Sequence, residues 1–340
     1  MPGSDRERRS VSVSVSVVEE QDPLGVRAAT AWVVERAADV SVVPEAAVAV
    51  AAQIAADLLP LPRWRTPPHW WSDADPAATA TYVLLVDALN FSFWGEPKWR
   101  LRWHGETVDG YFALAAAVTS AIERGVPLTE PAYLAGEACA AALLAGADDT
   151  PIPLLPARQA AIEEVGRGLL ADCGGSSPGW VTDAGRSAAS LVRGVVGRFP
   201  SFRDVTSYQG RPVPFYKRAQ LLVSDLHGAF AGAGPGAFRD LRRLTMFADY
   251  KVPQVLHGLG VLRYSARLEA ALRAYELMPF GDPREVEIRA GSVQAVELIA
   301  DVLAARGLEV PAYDVDWRLW SLGQGRAWPL PYHRTRSVYY

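Results

Sequence analysis

The chain is organised around TMFADYKVPQVLHGLGVLRYS, residues 245–265. Pro253 favours the first turn of a helix, because its missing N–H would have no partner there anyway. Asp249 then stands just ahead of the helix N-terminus, where the positive end of the helix dipole stabilises an ionised carboxylate. The two glycines of LHGLG predict a tight turn and a second helix from about Val261. Asp249 is therefore either a simple helix-start residue or part of a site.

Composition limits the class of protein. The chain has 340 residues, half of them apolar, so it can bury a substantial core in one large domain or two. The formal net charge is −4 and the isoelectric point is about 5.8. A duplex-DNA-binding protein usually carries a broad basic face, so this balance argues against stable nucleic-acid binding.

Cysteine and histidine usage points to a reducing cytoplasm and to no structural zinc. The two cysteines, Cys139 and Cys173, have no metal-like spacing, and the five histidines are scattered. No run of about eighteen apolar residues occurs, so we expect no membrane span and no membrane partner. The basic N-terminus runs through a serine-rich stretch into acidic residues, which does not fit a signal peptide.

Lysine is rare in this chain. Only three of the 34 basic residues are lysines: Lys98, Lys217 and Lys251. A compact ammonium and a planar guanidinium are not interchangeable, so each remaining lysine is either a chance survivor or a position where an ammonium is needed.

The order of elements predicts a mainly α fold in a single domain, residues 23–340, preceded by a flexible tail, residues 1–22. The alanine- and valine-rich sequence between Gly25 and Leu59 predicts helices. In WRLRWHGETVDGYF, apolar and polar residues alternate on both sides of a glycine, a pattern typical of a β-hairpin. The remaining predicted helices are Tyr111–Glu123, Pro131–Ala145, Ala157–Cys173, Ala184–Val196 and the segment FYKRAQLLVSDLHGAF.

The clearest helix signal lies at residues 283–306. Asp282 and Glu285 form a capping-box pattern, Pro283 fits the first turn and a glycine follows the end. The simplest interpretation places Glu285, Glu287 and Arg289 on the solvated face of this helix. The aromatic C-terminal segment, ending in Tyr339 and Tyr340, is expected to pack back onto the domain.

Two aromatic segments are candidates for a pocket. Asn90 lies in DALNFSFW, where aromatic faces can stack on a flat heterocycle and an amide can pair with its edge. His69 lies in the proline-rich segment LPLPRWRTPPHWW. The alternative for both segments is ordinary packing of aromatic side chains in the core.

Seven motifs together resemble one family, that of the queuosine salvage proteins, or queuosine 5′-phosphate N-glycosylases. They are NFSFW, YFALAAAV, FPSFRDVT, FYKRAQLLVSD, MFADYKVPQVL, EVEIR and HRTRSVYY, in order between Asn90 and Tyr340. The resemblance implies hydrolysis of the N-glycosidic bond of queuosine 5′-monophosphate, which releases queuine for reuse in tRNA. It also implies a fold similar to the helix-hairpin-helix DNA glycosylases, with no metal and no nucleotide cofactor.

The same resemblance suggests roles for individual residues. The two candidates for the catalytic acid are Asp316, in DWRLW, which resembles the family's catalytic acid and ranks first, and Asp249, which lies in the segment that lines its pocket. A carboxylate suits this chemistry, because cleavage of a ribosyl C–N bond passes through an oxocarbenium-like state. Lys217 is the candidate for the 5′-phosphate, with Arg334 or Arg336 as alternatives. The candidates for holding the base are Met246, Phe247, Trp320, His69 and Asn90.

Two other functions stay open at this level. The fold analogy also allows a DNA-repair glycosylase, although the acidic isoelectric point and the absence of a lysine directly after LHGLG argue against it. A non-enzymatic helical module that binds tRNA or a protein partner would show a basic face and no deep pocket. We expect a monomeric enzyme whose partner is the small-molecule nucleotide.

Overall fold

The computed structural model describes residues 22–173 and 179–340. The predicted tail, residues 1–22, lies outside the described residues except for its last position. In chain order the helices are α1 Val26–Val34, α2 Pro44–Ala56, α3 Pro76–Ala88, α4 Gly110–Glu123, α5 Pro131–Gly136, α6 Ala140–Leu143, α7 Leu155–Cys173, α8 Gly179–Thr182, α9 Ala188–Arg198, α10 Lys217–Ala229, α11 Lys251–Gly258, α12 Ala266–Arg273, α13 Pro283–Ala305 and α14 Ala312–Leu322.

Six short strands form three separate antiparallel pairs in the described residues. The strands are β1 Val40–Val42, β2 Arg100–Trp103, β3 Glu106–Asp109, β4 Val205–Tyr208, β5 Arg211–Pro214 and β6 Leu262–Tyr264, paired as β1–β6, β2–β3 and β4–β5. The mainly α prediction and the β2–β3 hairpin are confirmed. The β4–β5 hairpin was not predicted; it turns through Gln209 and Gly210, which both have positive φ angles, the conformation that tight hairpins need.

Helix α13 is the centre of the molecule. It packs against α1, α2, α11 and α14 and against the β1 strand. Its start is as predicted: Pro283 occupies the first turn, and the Asp282 carboxylate accepts a hydrogen bond from the backbone N–H of Arg284 at 2.9 Å. The Glu285 carboxylate reaches back to the backbone N–H of Gly281 at 3.1 Å. The cap thus satisfies backbone donors that the first helical turn leaves free.

The prediction of a solvated face on α13 is wrong. Glu285, Glu287 and Arg289 are all buried, and Arg289 forms ion pairs with Asp204 at 2.5 Å and with Glu285 at 3.4 Å. Charged side chains usually face water, but here the elements packed around α13 cover the face of Glu285 and Arg289 as well as that of Glu287. The pairing compensates for the loss of water around these charges.

The segment after LHGLG also differs from its prediction. Gly260 does adopt a positive φ of 76°, as the turn requires, but a second helix does not start at Val261. Instead β6 pairs with the distant β1, and α12 begins only at Ala266. The pairing partner comes from more than two hundred residues away, so the local sequence does not show it.

Three smaller outcomes complete the fold. The segment predicted as one helix at residues 131–145 is broken into α5 and α6, and α9 begins at Ala188 because Ser187 caps it. Tyr340 is buried and Tyr339 packs on Phe280 with ring centres 4.9 Å apart, which confirms that the C-terminal segment packs back. No helix in the described ranges has the length and apolar character to cross a membrane.

Candidate functional site

One cavity of about 160 Å³ lies between α14, the start of α11, the start of α10 and the loop after α3. Its wall is rich in aromatic side chains. Those of Trp94, Tyr111, Phe112, Phe247, Tyr250, Trp317, Trp320 and Tyr332 line it. Such a wall suits a flat, partly apolar ligand that can stack on ring faces.

Six of the eight predicted site residues line this cavity, and Asn90 is one of them. The others are Asp249, Asp316, Lys217, Phe247 and Trp320. The chain brings them from the loop after α3, from α10, from the segment before α11 and from α14. Residues more than two hundred positions apart in sequence therefore meet at one site.

The other two predicted residues lie elsewhere. Met246 is fully buried and is not among the residues that line the cavity. His69 lies behind the wall: its Nε2 is 2.8 Å from the hydroxyl of Tyr111, and its Nδ1 is 2.7 Å from the carbonyl of Trp64. His69 therefore contacts the cavity only through Tyr111, which supports positioning of the wall rather than direct contact with a ligand.

The two acids of the cavity have different surroundings. Asp249 precedes α11, and its Oδ1 accepts hydrogen bonds from the backbone N–H groups of Lys251 at 2.8 Å and Val252 at 3.0 Å. Asp316 is buried on α14 and accepts one hydrogen bond, from the backbone N–H of Phe247, at 3.3 Å. Asp249 thus has more donors to stabilise its ionised form.

Burial raises the pKa of both carboxyl groups. For Asp316 the pKa is well above the ordinary value, first because of burial and then because of the negative charge of Asp249. For Asp249 burial again raises the pKa, and the positive charge of Lys217 opposes that rise. The charge of Asp249 thus adds to burial in opposing ionisation of Asp316.

Lys217 is surrounded by acids. It is the first residue of α10, its Nζ donates to the carbonyl of Asn90 at 3.3 Å, and its pKa is lowered by burial and raised by Asp249, Asp87 and Asp316. Behind it Asp225 is buried, and burial raises the pKa of that carboxyl to about 7. A positive charge is unfavourable at a helix N-terminus. At Lys217 the charges of these acids offset that effect.

Several lining residues were not predicted as site residues. Lys98 and Lys251 lie at the cavity, as do Asp109, Gln324 and Tyr332. For Lys98 and Lys251, the rarity of lysine in the sequence could have indicated a role in the site. In contrast, Arg334 and Arg336 are not among the lining residues; Arg334 pairs with Glu96 at 2.6 Å. Among the described residues no group of three or more histidine, cysteine, aspartate or glutamate side chains is arranged to hold a metal ion.

Comparison with known proteins identifies the family of this chain. The model of the family described as "Queuosine salvage protein" matches residues 69–340. A protein of Sphaerobacter thermophilus named queuosine 5′-phosphate N-glycosylase/hydrolase is 48% identical over 320 residues, which cover 94% of this chain and 98% of that protein. A protein of the same name from Mus musculus is 39% identical over 341 residues, which cover 94% of this chain and 99% of that protein. The chain therefore belongs to the queuosine salvage protein family.

Proposed function

We propose that this protein hydrolyses the N-glycosidic bond of queuosine 5′-monophosphate and releases queuine. The observation that carries the proposal is a pair of acids, Asp249 and Asp316, in the wall of one aromatic cavity. The names of the relatives support the same substrate. In the reaction the C–N bond breaks, the electron pair leaves with the base, and water adds to the sugar carbon and supplies the proton that the base gains.

The acids supply the electrostatics of this reaction. As the bond breaks, positive charge develops on the sugar, and a carboxylate aimed at it in a site with little water stabilises that charge strongly. We assign this role first to Asp316, which is buried and has a single backbone donor. Asp249 is the second catalytic acid, and it also suits the cationic amine of the substrate's side chain.

The aromatic wall supplies recognition of the base. Phe247 and Trp320 line the cavity, and Trp320 packs against Phe112 and Trp317 with ring centres 5.7 and 5.5 Å away. These neighbours hold the indole in place, so that little side-chain freedom is lost when a base stacks on it. Asn90, buried at the same cavity, offers an amide to the base edge.

The remaining predictions concern the context of the enzyme. Residues 23–340 form one catalytic domain, similar to the helix-hairpin-helix DNA glycosylases, that acts as a monomer in the cytoplasm and forms no stable complex with nucleic acid. The exposed free thiol of Cys139 is in keeping with a reducing compartment. Size-exclusion chromatography with light scattering tests the monomer.

Mass spectrometry of the reaction products tests the proposed function. Queuosine 5′-monophosphate incubated with the protein should yield queuine and ribose 5-phosphate. A DNA duplex that carries a damaged base, treated in parallel, should stay intact. Cleavage of the duplex without cleavage of the nucleotide would show a DNA-repair glycosylase instead. If neither substrate is cleaved but the protein binds tRNA, it is a binding module.

A further inference from the structure

All three lysines of the chain line the cavity. Lys98, Lys217 and Lys251 are the only lysines among 34 basic residues, and each is a lining residue. In the described part of the chain no arginine lines it. The positive charge available to a ligand at this wall therefore comes from ammonium groups alone, and their surroundings decide which of them can bind an anion.

Lys217 is poorly placed for a phosphate. It is 6% exposed, and Asp249, Asp87 and Asp316 all act on its charge. A dianion beside it would lose its water and would meet the negative charge of the neighbouring acids. Lys217 is better suited to balance those acids, and its charge lowers the pKa values of both Asp249 and Asp316.

Lys98 and Lys251 have more favourable surroundings. The Lys98 side chain is 51% exposed and pairs with the exposed Asp109 at 3.3 Å. Lys251 is half-buried, and its Nζ is 3.5 Å from the amide oxygen of Gln254, a neutral partner at the limit of hydrogen bonding. Burial lowers the pKa of Lys251, Asp249 and Asp109 oppose this, and the charge of Lys98 adds to it. Both lysines line the same cavity.

The position of these lysines fits the direction in which a nucleotide would enter. Asp316 and Asn90 lie buried in the cavity, whereas Lys98, Asp109 and Gln324 are exposed at its mouth. The phosphate is the part of a nucleotide that is most costly to remove from water. A ligand with its sugar at the acids therefore keeps its phosphate toward the mouth.

We infer that Lys98 and Lys251 together bind the 5′-phosphate at the mouth of the cavity, with Asp109 orienting Lys98, and that Lys217 balances the buried acids. The inference rests on the proposed function. It assigns phosphate binding to Lys98 and Lys251 instead of Lys217, which the sequence had suggested. Both lysines lie next to anchored groups: Lys98 precedes the buried Trp99, and the backbone N–H of Lys251 donates to Asp249 at 2.8 Å.

The test compares the 5′-monophosphate with the free nucleoside. In the wild type kcat/KM should be higher for the monophosphate. Lys98→Gln and Lys251→Gln should each lower this preference about tenfold, and the double variant about 100-fold, since each substitution removes one charged hydrogen-bond donor to the phosphate. Lys98→Arg, which keeps the charge, should retain most of the preference.

Controls separate this inference from its alternatives. Arg242→Gln removes an exposed cation outside the cavity lining and should leave the preference unchanged. A double variant that keeps the preference, or Lys217→Met that loses it instead, would overturn the inference. If the wild type cleaves neither substrate, the proposed function is wrong, but the phosphate site is not yet contradicted. In that case calorimetry with ribose 5-phosphate still decides: equal affinity of wild type and double variant contradicts the phosphate site.

Discussion

Asp316 and Asp249 show how burial sets the chemistry of single residues. Both carboxyl groups have a raised pKa, and the charge of Lys217 opposes the rise in both, but only Asp249 accepts two backbone hydrogen bonds that favour its ionised form. Two like charges at one site cannot both ionise at low cost. Asp316 therefore ionises less readily than an exposed carboxyl group would, because burial and the charge of Asp249 both raise its pKa.

Asp316→Asn removes the charge but keeps the shape of the side chain. We expect turnover to fall about 100- to 1000-fold with substrate affinity largely kept, because the ground state carries little positive charge at the sugar. Asp249→Asn should lower turnover as well, with a larger loss of affinity. Steady-state rates and calorimetry measure both variants, with circular dichroism as the folding control. A fully active Asp316→Asn beside an inactive, substrate-binding Asp249→Asn would reverse the two roles.

The raised pKa of Asp316 also predicts pH dependence. If the ionised form acts, kcat/KM should rise with pH, with its acid limb above the ordinary aspartate value of 3.8. Lys217→Met should move that limb to higher pH, because the lysine charge lowers the pKa of both acids. A pH–rate profile from pH 4 to 9 measures the limb. A limb that stays in place, or moves to lower pH, contradicts the proposed role of Lys217.

At the scale of elements, close approach of backbones explains positions that sequence patterns leave neutral. Gly166 lies inside α7, where a Cβ atom would come within 2.2 Å of the backbone nitrogen of Ala135 on α5. Gly194 lies on the exposed face of α9, where a Cβ atom would meet nothing within 4 Å. Close packing therefore requires glycine at position 166, whereas the space around position 194 would also accept a larger side chain.

Alanine substitution at these two glycines separates packing from helix propensity. Gly166→Ala should lower the free energy of unfolding by about 1–3 kcal/mol, because α5 and α7 must move apart. Gly194→Ala should raise it by up to about 1 kcal/mol, because alanine favours a helix over glycine. Urea unfolding followed by circular dichroism measures both. A Gly166→Ala variant as stable as Gly194→Ala would mean that α5 does not pack closely on α7.

At the scale of the whole molecule, buried charge connects the central helix to the cavity wall. Arg289 of α13 lies between the rings of Phe215 and Tyr340, 3.9 and 4.2 Å from their centres, and donates to the carbonyl of Ala248 at 3.0 Å. Its partner Asp204 also accepts from the backbone N–H of Lys217 at 3.2 Å. One guanidinium thus fixes the segments that carry Lys217, Asp249 and the C-terminal tyrosine.

Arg289→Met tests this connection with little change in volume. It leaves Asp204 and Glu285 buried without their cation, and we expect a loss of about 3–5 kcal/mol in the free energy of unfolding. The matched control is Arg242→Met, whose pair with Glu309 is exposed on both sides and should contribute less than about 1 kcal/mol. Equal unfolding midpoints of the two variants in urea would contradict a stabilising role for the buried cluster.

The sequence by itself determined most helices, the β2–β3 hairpin, the α13 cap and the family. Periodicity, caps and turn residues are local properties, so residues within a few positions of each other are enough to show them. The quoted motifs are also short, local stretches of sequence. They pointed to Asp249, Asp316, Lys217, Phe247, Trp320 and Asn90, which all line one cavity.

Only the tertiary structure decided which charges are buried and which lysines face the same cavity. Glu285, Glu287 and Arg289 are charged residues of the kind usually found in water, yet the elements packed around α13 enclose them. β6 pairs with a strand from the other end of the chain, and Lys98 and Lys251 line one cavity although they are 153 positions apart. Burial and proximity depend on elements that are distant in sequence, and no local pattern of residues encodes them.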